Sequence, residues 1–122
     1  MGRLIKAFEN SVRAFRKLAS SEAAFQQELI LLVLAFPLAW PLASTWRAYA
    51  FLIASILFLI IIEVLNTGIE AACDAVSREF NIDIQLAKDC GSLAVLISII
   101  LVAGIWLFAL ADALTRFESS SL

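Results

Sequence analysis

The stretch whose residue types and spacing best suit chemistry is Glu63-Val-Leu-Asn-Thr-Gly-Ile-Glu-Ala-Ala-Cys-Asp74. At about 100° per residue, Glu63, Asn66, Thr67, Glu70 and Asp74 share an arc of roughly 100° on one helix. The run before it, Ala48 to Ile62, holds no charge. Ionisable groups at the end of such a run are costly in a membrane; they are paired or face a protein interior, and they mark working sites. The plain alternative is a helix emerging into water, which accounts for Asp74 more easily than for Glu63, Asn66 and Glu70. Carboxylates with one amide and one lysine, and no histidine anywhere in the chain, suit a hard cation such as Mg²⁺, which takes oxygen ligands from one or two carboxylates and from substrate phosphates. Phosphoryl transfer asks of a protein mainly positioning and charge neutralisation. Neither a GxxxxGK[ST] loop nor the protein-kinase signature set is present. On residue chemistry alone, a small membrane subunit without catalysis remains open beside an enzyme acting on a lipid.

These residues need elements to position them, and composition says what kind. The chain is 62% hydrophobic and 16% charged, with a mean hydropathy of +0.94. Soluble domains run at about 45–50% apolar and about 25% charged, so an integral membrane protein is expected. Its net charge of −2 offers no basic field for nucleic acid. The two cysteines, Cys73 and Cys90, have no CxxC or Cys/His metal spacing, and are read as packing residues. The first long apolar run begins near Leu29, after an acidic segment. A cleavable leader is therefore not expected, and the apolar segments direct insertion themselves.

The expected fold is all-α, one membrane domain over residues 1–122, with a surface helix and three transmembrane helices. Over residues 1–20, Leu4, Ile5, Phe8, Val12, Phe15 and Leu18 share one face, and Arg3, Lys6, Glu9, Asn10, Arg13, Arg16 and Lys17 the other. Such a helix lies in the membrane interface or packs on protein. Ser20 and Ser21 read as an N-cap, with Glu22 in the first turn of the next helix. Glu22 and Glu28, six residues apart, point to different sides. The spans are expected at about residues 28–46, 48–72 and 92–111. Pro37 and Pro41 should kink the first or end it early, and Trp40, Trp46 and Tyr49 form an aromatic belt at the turn that follows. Ser77 to Leu86 reads as a polar loop or a frayed helix end, Gly91, Ser92, Ser98 and Gly104 as points of close helix approach, and Asp112 to Leu122 as a short tail. Arg3, Lys6, Arg13, Arg16 and Lys17 lie on the same side as Arg78 and Lys88, against Arg47 and Arg116 on the other. The positive-inside rule then makes the N-terminus and the 74–91 loop cytoplasmic.

Glu63-Val-Leu-Asn66-Thr67-Gly68-Ile69-Glu70-Ala-Ala-Cys73-Asp74 resembles the signature of the small prokaryotic diacylglycerol kinases. The likeness continues through Ala87-Lys88-Asp89-Cys90-Gly91-Ser92 and Glu22-Ala-Ala-Phe-Gln-Gln-Glu28, and Arg3 and Lys6 suit the family's basic amphipathic start. Gly68 and Cys73 depart from the usual Ser/Ala and aliphatic residues, and Pro37–Trp46 is only loosely similar. The resemblance implies a homotrimeric bundle in the bacterial inner membrane, with composite sites between subunits. It also implies an ATP-dependent, Mg²⁺-requiring kinase that phosphorylates the primary hydroxyl of diacylglycerol to phosphatidic acid. The related undecaprenol kinase activity shares the signature. Carried over by position, Glu63 is the candidate general base and lies where the lipid hydroxyl must sit, with Asn66 orienting it or the phosphates. Glu22 and Glu70 are candidate metal ligands. Arg3, Lys6, Asn10 and Lys88 would meet the nucleotide, supported by Asp74 and Asp89, although Asp89 next to Lys88 also reads as a simple ion pair. Glu28 would help to seat the lipid headgroup.

Overall fold

The computed structural model describes residues 2–121. It contains four α-helices: α1 (Gly2–Ser21), α2 (Ala23–Leu42), α3 (Trp46–Val76) and α4 (Ile82–Ser121). Three of them, α2, α3 and α4, are long and apolar enough to cross a membrane. At 1.5 Å per residue, the 31 residues of α3 and the 40 of α4 run to about 46 and 60 Å, well beyond a hydrocarbon core of about 30 Å. The polar ends of both helices are therefore helical extensions of the spans.

Several boundaries depart from expectation. Ser21 does not cap α2; it closes α1, and its hydroxyl donates back to the Lys17 carbonyl at 2.6 Å. Glu22 is the one extended residue between the two helices, and its side chain makes no capping bond. The tie across this break comes instead from Gln26, whose Nε2 donates to the Ala19 carbonyl at 2.8 Å. α2 passes through both prolines and stops one residue after Pro41, earlier than the expected end at 46. Thr45 caps α3 by accepting the Ala48 N–H at 3.1 Å. The polar loop is shorter than expected, because Asn81 Oδ1 accepts the N–H groups of Asp83 and Ile84 and starts α4 there. Asp112 to Ser121 is helix, not a loose tail. Arg116 holds it, donating to the terminal Leu42 carbonyl of α2 at 2.7 Å and pairing with Asp112 at 3.3 Å.

Helix α3 is the hub, packed by α2 on one side and α4 on the other, while α1 touches only α2. The core is Ala35 and Ala39 of α2, Leu52, Ile53, Ile56 and Leu59 of α3, and Val102 of α4. The two alanines let α2 come close to α3, which matters in lipid, where dispersion rather than hydrophobicity holds helices together. Within this layer the indole of Trp106 donates to Ser55 Oγ at 3.0 Å, and Ser55 donates to the Leu52 carbonyl at 2.6 Å. Polar groups at that depth have no water to turn to and must pair. The apolar face of α1 is covered only at its C-terminal end, where Leu18 is buried and Phe15 meets the Phe25 ring edge-on at 5.6 Å; Leu4, Ile5 and Phe8 are exposed. An amphipathic helix with an open apolar face is of the kind that can lie on a bilayer interface.

Candidate functional site

The buried stripe of α3 does not stop where the aliphatic residues do. It runs from Leu52, Ile56 and Leu59 on to Glu63, Asn66 and Cys73 at helical spacing. The period that turns Ile56 into the core also turns Glu63 and Asn66 into it; both are less than a tenth exposed. Thr67 and Asp74 are half-buried, while Glu70, between buried Asn66 and Cys73, is exposed. Glu63 and Glu70 are seven residues apart, or about 10 Å along the axis.

Helix α2 brings a second carboxylate to the same place. Glu28 is buried, and its Oε1 has no hydrogen-bond partner. Glu28 lies within electrostatic reach of Glu63, and Glu63 within reach of Glu70 and of the half-buried Glu22. Three further acids thus stand within electrostatic reach of Glu63: Glu70 on the same helix, Glu28 on α2 and Glu22 in the break before α2. Among the described residues the ion pairs all lie elsewhere, at Asp74 and Asp112. Gathering like charges without a counter-ion costs free energy, a pattern characteristic of functional sites.

Asn66 completes the buried group, and its Oδ1 also lacks a partner. Its carboxamide oxygen lies against Gly91 of α4, so close that any side chain at 91 would collide with it. The small residue expected to allow close approach thus meets the candidate site itself. At Gly104 the space is open instead. Sequence reasoning grouped these glycines and had no signal to separate them.

Nearer the loop, Lys88 Nζ donates to Asp74 Oδ1 at 2.8 Å, and Arg78 stands 3.9 Å from the other oxygen. This pair ties the end of α3 to the start of α4 beyond the uncharged stretches. The hydrogen bond from Lys88 holds the Asp74 carboxyl below the usual range, and the same bond pushes the Lys88 ammonium up. Asp89 is exposed, and Lys88 reaches past it to Asp74, so the two do not form the adjacent ion pair considered above. Arg78 was not foreseen as a site neighbour; its position four residues after Asp74 was the available signal.

Arg3, Lys6 and Asn10 stand apart. All three are exposed on α1, and Asn10 Oδ1 accepts from Arg13 at 2.9 Å. Arg3 is some 19 residues from Glu22, about 28 Å along the helix, and α1 makes no contact with α3 or α4. The chain does not bring these groups to its own Glu63.

For a metal, the donor chemistry fits a hard cation in one particular way. Among the described residues no three of His, Cys, Asp or Glu lie close enough together to cage an ion. The chain offers one or two carboxylates at any level, with the remaining oxygens left to a phosphate substrate, which is how Mg²⁺ is commonly held. A concavity of about 680 Å³ between the start of α3 and the C-terminal half of α4 lies at the opposite end of the bundle and is lined mainly by apolar residues such as Phe51, Leu52, Ile100 and Phe108.

Fold and site together define an α-helical membrane protein with three long apolar helices and with buried carboxylates and an amide toward the polar end of α3. Comparison with known proteins narrows the class. The family model for prokaryotic diacylglycerol kinase matches residues 9–110. The diacylglycerol kinase of Escherichia coli K12 is 38% identical over 104 residues, covering 85% of each chain. That of Pseudomonas aeruginosa PAO1 is 35% identical over 104 residues, again 85% of each. That of Haemophilus influenzae Rd is 29% identical over 103 residues, 84% of this chain and 87% of the relative. The chain belongs to the prokaryotic diacylglycerol kinase family.

Proposed function

We infer that this chain is an ATP-dependent lipid kinase that moves the γ-phosphoryl group to the primary hydroxyl of diacylglycerol, giving phosphatidic acid and ADP. Family membership supports the chemistry. The observation that carries the assignment of roles is the burial of Glu63 and Asn66 beside Glu28, at the end of an uncharged run. A lipid hydroxyl waits at that depth, while a nucleotide approaches from the water side, where Glu70, Asp74 and Lys88 stand. Glu63 takes the proton of the hydroxyl as its oxygen attacks the γ-phosphorus, and ADP leaves on the opposite side. Glu28 seats the glycerol headgroup. Lys88 neutralises phosphate charge, kept in place by Asp74, and Asp89 supports the nucleotide site.

Mg²⁺ would be held by Glu70 and Glu22 together with phosphate oxygens, and would supply charge neutralisation. Arg3, Lys6 and Asn10 also serve the nucleotide, but in a neighbouring copy: α1 leaves its own bundle, and a homotrimer with sites shared between subunits gives those groups a phosphate to meet. The single membrane domain sits in the bacterial inner membrane with its N-terminus and 74–91 loop in the cytoplasm, the side that holds ATP and carries most of the chain's basic residues.

The test is ATP-dependent phosphorylation in mixed micelles with Mg²⁺, with diacylglycerol and undecaprenol offered side by side. Labelled phosphatidic acid is the expected product. Label on undecaprenol alone would keep the mechanism and change the acceptor, and no label on either from folded protein would overturn the reading.

A further inference from the structure

We propose that Gly91 is a positioning residue for the transfer reaction: it seats the Asn66 carboxamide oxygen against α4, and so presents the amide nitrogen as the end that works. The inference rests on the function proposed above. Asn66 Oδ1 is buried without a hydrogen-bond partner, and a side-chain carbon built at Gly91 would overlap it. The Gly91 backbone thus forms the floor under that oxygen, a place where a Cα–H can act as a weak donor. With the oxygen turned onto α4, the Nδ2 hydrogens are left to donate. The acceptors they can serve are the Glu63 carboxylate, three residues earlier on the same buried stripe, and the incoming phosphate. An amide held this way orients a carboxylate base or a phosphoryl oxygen; it does not offer an acceptor to the lipid hydroxyl.

The position is particular to 91. A methyl group at Gly104, on the same helix, would meet nothing within 4 Å. At Gly91 the overlap falls on the side chain of Asn66 first, with its backbone Cα further off at 3.8 Å. A methyl at 91 therefore turns or displaces the carboxamide before it pushes the helices apart.

The experiment is a double-mutant cycle, with kcat and the KM for ATP and for diacylglycerol measured on wild type, Gly91→Ala, Asn66→Ala and the double variant, and Gly104→Ala as the control. Gly91→Ala should lower kcat about tenfold or more while both KM values stay within about threefold. In the Asn66→Ala background it should add less than about a twofold further loss. Gly104→Ala should keep wild-type kcat. The same cycle is read by thermal unfolding, which needs no turnover: Gly91→Ala should lower the midpoint with Asn66 present and leave it unchanged in the Asn66→Ala background. A Gly91→Ala enzyme with wild-type kcat overturns the proposal, as does an equal loss in both backgrounds by either readout. If wild type phosphorylates no lipid, the functional reading fails, while the unfolding cycle still decides whether Gly91 seats Asn66.

Discussion

Glu63→Gln separates the chemical role of this residue from its structural one. Gln has the shape of Glu without its charge, so the packing around this buried position is preserved. Glu63 is 8% exposed and makes no ion pair among the described residues. It sits within electrostatic reach of Glu70 and Glu22, all of like charge. Removing its charge should therefore relieve the fold, by on the order of 1 kcal/mol for a buried unpaired group. For a chain of this size that is a rise of a few degrees in the unfolding midpoint. Turnover should move the other way. A positioned general base contributes about 10²–10⁴-fold, or about 3–5 kcal/mol of barrier. The assay is transfer of labelled phosphate to diacylglycerol in mixed micelles, run beside thermal unfolding of the same samples. The expected result is a dead or nearly dead enzyme that is as stable as wild type or more so. A variant within a few-fold of wild-type rate would refute the base assignment. A variant that loses both activity and stability would show that Glu63 holds the bundle together and that the electrostatic reasoning is wrong.

Glu70→Gln should raise the Mg²⁺ concentration needed for half-maximal rate by about tenfold or more, which a metal titration at saturating ATP would show; an unchanged requirement would remove Glu70 from the metal. The Lys88–Asp74 clamp should leave a pH signature. The Asp74 carboxyl is lowered by its bond from Lys88, so its contribution is full above the unfolded carboxylate value of about 3.9 and is lost as pH falls through the lower folded value. The Lys88 ammonium is raised, so its contribution is full below about 10.4 and is lost as pH rises through the higher folded value. The midpoint difference between wild type and Asp74→Asn should then be flat across neutral pH and vanish only at the acid and alkaline extremes; a difference that changes near neutrality would contradict the pairing. Trp106→Phe removes the donor to Ser55 and should cost about 0.6–1.7 kcal/mol of stability with no change in the KM for ATP, measurable by unfolding and steady-state kinetics on one preparation.

What the amino-acid order determined by itself was local and periodic. The uncharged run from Ala48 to Ile62 and the spacing of Glu63, Asn66, Glu70 and Asp74 follow from helix geometry, and helix geometry needs no partner. The amphipathic surface helix, the three apolar spans and the all-helical class were legible for the same reason, since backbone groups in lipid must pair within their own segment. Where helices stop was less legible, because caps depend on single side chains: Glu22 breaks the helix where Ser21 was expected to, and Asn81 opens α4 well before its apolar run. Pairings between distant residues were not legible at all. Lys88 bonds to Asp74, fourteen residues away, and passes over Asp89 beside it. Arg116 reaches back to Leu42, and Trp106 to Ser55. Among the glycines of α4, only the packed helices single out the one that touches Asn66. Each of these contacts is set by the angle and depth at which two helices cross, and that is decided by all their packed side chains together.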